Sequence, residues 1–209
     1  MALHRHDRGP HTQPASRTRL PTSRRVLLLV DFINPLTFAG GEDLAPAALE
    51  AATAAAALKQ HMQEQGFRSI FINDNFGQWR SDFKTLAAEC QQLGGTAAGL
   101  VRRLKPHPDD LMVLKPRHSG FYATPLDLLL EELATREVVV TGLATDFCVM
   151  CTAMDAYVRG YKVWVPEDCT AAESPRHKHE ALAWMKATLK ARISPAAGTV
   201  RRSASGRGA

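Results

Sequence analysis

The segment VLLLVDF, residues 26–32, is a continuous apolar run of strand length with no polar residue before Asp31. A strand that is apolar on both faces has to be covered on both. That is the condition of a parallel sheet between layers of helices, not of an antiparallel sheet with one wet face. Four more runs fit the same pattern: SIFIND (69–74), LMVLKP (111–116), EVVVTG (137–142) and YKVWVPED (161–168). Between them lie helical patterns. An alanine-rich stretch from about Ala45 to Gln65 is stopped by Gly66, residues 83–104 carry a Gly-Gly interruption at 94–95, and TPLDLLLEELAT (124–135) is amphipathic. A segment with Val149, Ala153, Ala156 and Tyr157 at helical spacing ends at Gly160, a last helix covers Pro175 to Lys190, and Ala191 to Ser194 offers a short final strand. No internal repeat is present. Strand and helix alternate throughout, which predicts an α/β fold with a parallel sheet covered on both faces.

With 209 residues and 45% hydrophobic side chains, the chain can bury a single substantial core. Its net charge of +5 suggests nucleic acid until it is divided along the chain. Six arginines and one aspartate give residues 1–25 a charge of +5, and three arginines give residues 195–209 +3, which leaves residues 26–194 at −3. The folded body is mildly acidic, so nucleic acid is not an expected partner. Residues 1–24 are rich in Arg, His, Pro, Ser and Thr without apolar periodicity and are expected to form a disordered basic leader. The expected folded domain is 25–194, followed by a disordered tail, 195–209. No apolar stretch reaches the length of a membrane span and no secretory core follows the basic start, so no membrane association is expected. Four cysteines without framework spacing suit free thiols in the cytoplasm.

In sheets of this kind ligands collect outside the carboxyl ends of the strands. Asp31 closes the first run, Lys115 the third, and Cys148 follows the fourth just inside a helix start. A helix N-terminus and a nearby cation favour a thiolate, so Cys148 is a candidate nucleophile with Lys115 as the cation. Asp31 would carry the proton, and backbone N–H groups around Ala144 to Cys148 would hold an oxyanion. That assembly would cleave an amide or related C–N bond through a thioester. Other readings stand beside it. Cys148-Val-Met-Cys151 is a C-x-x-C at a helix start, as in dithiol oxidoreductases, although that leaves Asp31 and Lys115 idle. Zinc would need a second pair that Cys90 and Cys169 do not form. Each of the three residues taken alone also has a plain structural role: a core cysteine, a loop-capping aspartate and a surface lysine.

Four stretches, LLLVDFINPLTF, INDNFGQWRSDF, VLKPRHSGFYATPLDLLL and VTGLATDFCVMCTAMDAYVRGYKVWVPEDCTAA, together resemble the isochorismatase-like cysteine hydrolases. That superfamily includes nicotinamidases, N-carbamoylsarcosine amidohydrolases and biuret hydrolases. The resemblance spans roughly Val26 to Ala172 and implies an Asp31-Lys115-Cys148 triad. It also implies a cis peptide between Leu143 and Ala144, an oxyanion hole from the N–H groups of Ala144 and Cys148, and a Rossmann-like three-layer α/β/α sandwich of about six mostly parallel strands. A homodimer or homotetramer acting on a small-molecule substrate goes with it. Where nicotinamidases carry a metal-binding Asp-x-His, this chain has Asp74-Asn75-Phe76, and phenylalanine cannot ligate a metal. No cofactor and no metal are therefore expected, with a metal-assisted nicotinamidase-like amidase as the alternative. A catalytically idle binding scaffold of the same fold is a further alternative, which the intact triad opposes. Phe76, Trp79, Arg80, Arg117 and His118 are candidates for the substrate pocket.

Overall fold

A computed structural model describes residues 20–200 of the chain. Its strands are β1 (Arg25–Val30), β2 (Arg68–Asp74), β3 (Leu111–Lys115), β4 (Glu137–Leu143), β5 (Lys162–Trp164) and β6 (Thr170–Ala171). Its α-helices are α1 (Gly41–Glu64), α2 (Phe83–Leu93), α3 (Gly95–Leu104), α4 (Leu126–Glu132), α5 (Met150–Val158) and α6 (Pro175–Thr188). All strand pairs are parallel, in the order β3-β2-β1-β4-β5. β6 pairs with the carboxyl end of β4, beyond the stretch that pairs with β5.

The two-sided burial anticipated for the first strand is complete. Leu27 and Leu29 join one core with Phe71, Val139 and the inner faces of α1, α2 and α3. Val26, Leu28 and Val30 join the other with Ile70, Ile72, Val138, Val140 and residues of α4, α5 and α6. Successive β1 side chains thus feed opposite cores, giving the three-layer α/β/α sandwich with six strands. Ala48, Ala51, Ala52 and Ala55 are buried on α1, where small side chains let that helix lie close on the sheet.

Strand order reverses at β1: the chain runs outward through β2 and β3, then returns to β4 on the other side. A crevice at the carboxyl ends of β1 and β4 is the geometric consequence. Gly142 of β4 sits opposite Val30 of β1 at φ 132°, and a Cβ there would lie 1.9 Å from the Val30 carbonyl oxygen. Only glycine allows the two strands to approach so closely at this point.

Three expectations need correction. Residues 191–194 form only a single bridge, Arg192 to Trp164, and the sixth strand is Thr170–Ala171, too short and too mixed to show a sequence pattern. The leader boundary at 24 falls too late. Leu20 packs on the second core, and Ser23 is buried, with its N–H on the Leu133 carbonyl and its hydroxyl accepting from the Arg68 N–H. The tail boundary at 195 falls too early, because Ala196 is buried in the first core and its N–H donates to Asp168. Residues 1–19 and 201–209 lie outside the described residues. Among those described, no helix is long and apolar enough to cross a membrane.

Candidate active site

Asp31, Lys115 and Cys148 converge at the carboxyl edge of the sheet. Lys115, the last residue of β3, is wholly buried, yet its ammonium has an acceptor for each of its three protons: Asp31 Oδ2 at 2.8 Å, Asp74 Oδ2 at 3.5 Å and Cys148 Sγ at 3.6 Å. A buried ammonium is tolerated only when paired and hydrogen-bonded in this way. Asp31 follows β1 directly. Its N–H donates to the Ile72 carbonyl, its Oδ1 accepts from the Asp74 N–H at 2.7 Å, and its carboxylate also takes the Cys148 thiol. With φ at 49°, Asp31 occupies the left-handed region that a non-glycine residue enters at a cost of about 1–3 kcal/mol. The anchoring of its backbone and side chain to β2 holds it there.

The Leu143–Ala144 peptide is cis. A π-helical turn, Thr145–Val149, then carries Cys148 into α5. Phe147 and Val149 both donate to the Ala144 carbonyl, while Cys148, between them, does not. The Cys148 carbonyl accepts from Thr152 Oγ, which itself accepts from the Gly120 N–H at 3.0 Å. This couples the turn bearing the thiol to the β3–α4 loop bearing His118.

The electrostatics differ from expectation. Burial pushes the Asp31 carboxyl above the ordinary carboxylate range, with Lys115 pulling the other way. Burial also pushes the Cys148 thiol up, the Asp31 charge adds to this, and Lys115 offsets only part of it. Burial alone would lower the Lys115 ammonium, but the charges of Asp31, Cys148 and Asp74 outweigh it and its pKa rises. These shifts favour an ammonium on Lys115 and a neutral thiol on Cys148, while the Lys115 ammonium at 2.8 Å favours the carboxylate of Asp31. The thiolate expected from a helix start and a cation is not the resting form, because burial and the Asp31 charge together outweigh the pull of Lys115.

Beside the triad opens a cleft of about 480 Å³ lined by Phe76, Trp79, Arg117, His118 and Tyr122, with Asp74 on its wall. Four of the five pocket candidates face it. Arg80 is exposed and is not among its lining residues. Cys148 is not on the wall itself, but Nδ1 of His118 lies 4.0 Å from its sulfur, and the His118 ring packs on Phe147 with centroids 4.2 Å apart. Cys151 is a free, half-buried thiol on α5, and Cys90 and Cys169 are free and buried in the core. Asp74, Tyr122 and Phe147 were missed as site residues. Asp74 had a usable signal, since it closes the second strand just as Asp31 and Lys115 close the first and third. The two aromatics had none, as loop residues meet only through tertiary contacts.

A metal would need converging ligands. Asp74 is engaged by Lys115 and by the Phe76 N–H, and among the described residues no group of three or more His, Cys, Asp or Glu side chains could hold an ion. The residues present do not fit such a centre.

A family model described as an isochorismatase domain matches residues 25–197. An uncharacterized isochorismatase family protein of Bacillus subtilis, YaaI, is 36% identical over 170 residues, covering 81% of this chain and 93% of its own. The ureidoacrylate amidohydrolase RutB of an Enterobacter species is 41% identical over 88 residues, 42% of this chain and 38% of its own. Among solved structures, the nicotinamidase SaPncA from Staphylococcus aureus superposes with a TM-score of 0.64 at 26% identity, covering 83% of this chain and 98% of that one. N-carbamoylsarcosine amidase from Thermoplasma acidophilum shares the fold, with a TM-score of 0.62 at 24% identity over 83% of this chain and 96% of that one. The strand order, the acid, amine and thiol gathered at its switch point, and the match over nearly the whole described body lead to one conclusion: the chain belongs to the isochorismatase family of hydrolases.

Proposed function

We propose that the protein is a cysteine hydrolase that cleaves a small amide, ureide or similar C–N bond through a thioester, with Asp31, Lys115 and Cys148 as its catalytic residues. The observation that carries this reading is the fully buried Lys115 ammonium held between the Asp31 carboxylate and the Cys148 sulfur. As substrate enters, Asp31 accepts the thiol proton and Sγ forms a bond to the carbonyl carbon. Lys115 stays protonated and balances the negative charge, which moves from carboxylate to sulfur and then to the carbonyl oxygen. The N–H groups of Ala144 and Cys148 receive that oxyanion. Collapse breaks the C–N bond, Asp31 returns its proton to the leaving nitrogen, and a thioester remains. Water then gives a proton to Asp31 and attacks the thioester, and the sulfur leaves and is reprotonated. No step passes through a metal.

Amidase relatives support the choice of bond: RutB as a ureidoacrylate amidohydrolase, and SaPncA as a nicotinamidase. The test is ammonia release from a panel of small amides and ureides. Cys148→Ser should lower turnover by more than about 10³-fold, while Cys151→Ser retains it, since hydrolysis needs one sulfur and dithiol exchange needs two. Loss of turnover in folded Cys151→Ser would instead favour thiol–disulfide chemistry. Dialysis against a chelator should leave turnover unchanged, and a loss restored by a divalent ion would revive the metal-assisted reading.

A further inference from the structure

We propose that His118 is a further catalytic residue, which accepts a hydrogen bond from the water that hydrolyses the thioester and so aims that water at the acyl carbon. This rests on the thioester reading of the same site. Cys148 is not on the wall of the cleft, whereas His118 lines it and also places Nδ1 4.0 Å from the sulfur. The imidazole thus stands between the cleft and the thiol. The sulfur's buried neighbour is the Lys115 ammonium at 3.6 Å. An acyl group on Sγ therefore extends toward the cleft, and water reaches it past His118.

The carboxylate acceptors near the sulfur each hold a donor already. Asp31 Oδ1 takes the Asp74 N–H and Oδ2 the Lys115 ammonium, while Asp74 Oδ2 takes the same ammonium and Oδ1 the Phe76 N–H. Lys115 and the N–H groups of the oxyanion hole are donors. The attacking water has two protons. Asp31 takes one as the C–O bond forms, and the second needs an acceptor on the cleft side. Nδ1 of His118 supplies it, in the tautomer with the ring proton on Nε2. His107 and His177 lie 3.6 Å from Asp109 and Asp146, but among the described residues no carboxylate lies within ion-pairing distance of His118. A water about 3–3.5 Å from the acyl carbon is within hydrogen-bond reach of a nitrogen placed so near the sulfur. The ring is also held in register with the thiol. It packs on Phe147, in the turn that carries Cys148, with centroids 4.2 Å apart. Its own loop is tied to that turn by the Gly120 N–H on Thr152, whose hydroxyl donates to the Cys148 carbonyl. When the C–S bond breaks, the sulfur leaves with the bonding pair and Asp31 returns the proton to it, so His118 ends as it began.

The test uses p-nitrophenyl acetate on the full-length protein, an ester that acylates a reactive thiol and releases p-nitrophenolate whatever the natural substrate is. Acid quenching and mass spectrometry follow the formation and decay of acetyl-Cys148. The wild type should form this thioester and clear it by hydrolysis. His118→Phe keeps a ring against Phe147 but removes the acceptor. Its acetylation rate should stay within about twofold of the wild type while decay slows by at least about tenfold, the size of one hydrogen bond to the attacking water. His118→Asn brings an amide oxygen near the place of Nδ1 and should recover part of the decay rate, which a merely structural role would not produce. Hydroxylamine attacks through its own nitrogen and needs no held water, so it should clear acetyl-Cys148 from His118→Phe as fast as from the wild type. Unchanged decay in His118→Phe, acetylation and decay slowed by one factor, no recovery in His118→Asn, or hydroxylamine clearance slowed as much as hydrolysis would each overturn the proposal. The parent reading fails separately: a wild type in which Cys148 is never acetylated, and which releases p-nitrophenolate no faster than Cys148→Ser, has no thioester to hydrolyse. Acetyl-Cys148 that forms and decays alike in the wild type and His118→Phe defeats the role of His118 alone.

Discussion

At the scale of single residues, the proposed mechanism makes Asp31, Lys115 and Cys148 one ionisable unit in which a proton is shared between Asp31 and Cys148 while Lys115 stays charged. Both proton carriers are shifted upward, so acid and alkaline pH act on different members. Activity should fall on the acid side at a pH above the ordinary carboxylate value of about 3.9, because Asp31 must be ionised to take the thiol proton. Iodoacetamide labelling of Cys148 in the free protein should keep rising with pH beyond about 8.5, where an ordinary thiol levels off. A plateau at or below that value would mean a resting thiolate. Asp31→Asn gives the sharper test. Its amide oxygen can still accept the Asp74 N–H, but the negative charge that raises the thiol is gone and Lys115 acts unopposed. Labelling at neutral pH should quicken while turnover drops about 10²–10⁴-fold, because the proton carrier is lost. Both rates falling together would show that Asp31 serves only to hold Lys115. The three residue types and their places at strand ends were legible in the sequence. The direction of the thiol shift was not, since it depends first on burial and then on the balance of two opposite charges.

At the scale of elements, the site is a junction of loops fixed to rigid strands, and the ties between loops are few. Thr152 on α5 provides one: it donates to the Cys148 carbonyl at 2.7 Å and accepts the buried Gly120 N–H at 3.0 Å. Thr152→Val keeps the shape but leaves that N–H without a partner, at a cost of about 1–3 kcal/mol. The expected result is a lower melting temperature together with a turnover loss larger than the stability change explains at a temperature well below unfolding. A variant that melts earlier but turns over normally would confine Thr152 to a structural role. Ser119, two residues before Phe121, supplies a second tie through its hydroxyl on Asp155, which also holds Arg159. The strands themselves could be read from their runs of β-branched and aliphatic residues to within a residue or two at most ends. The loop ties were illegible, because Thr, Ser and Asp in loops carry no periodicity and their partners lie about 30 residues away in the chain.

At the scale of the whole molecule, the candidate site lies at one edge of the sheet and the opposite edge is held by a different device. Lys59 on α1 is buried with its ammonium 2.5 Å from Asp110, just before β3, and it also donates to the Leu104 and Lys105 carbonyls at the end of α3. Asp110 accepts further from the His107 N–H and from Gln63. One ion pair thus joins a helix, the end of a second helix and the start of the strand whose far end presents Lys115. The alanine-rich pattern marked α1 as a packed helix, but it gave no sign that Lys59 pointed inward, because a lysine on such a helix is ordinarily solvated. The burial of Ser23 and Ala196 escaped notice for a similar reason: polar and small residues beside basic flanks look like linker until the body covers them. The two buried lysines make a useful contrast, since both are paired but only Lys115 lies at the carboxyl edge. Lys59→Met should strand the Asp110 charge and destabilise the protein by about 3–5 kcal/mol, the cost of breaking a buried pair from one side. The double variant Lys59→Met with Asp110→Leu should recover much of that loss, since an apolar pair needs no compensation. At a temperature where all three proteins are folded, the Cys148 labelling rate and kcat should match those of the parent. A change in either, at equal folded fraction, would show that β3 transmits strain from its start to Lys115 and that the two edges of the sheet are not independent.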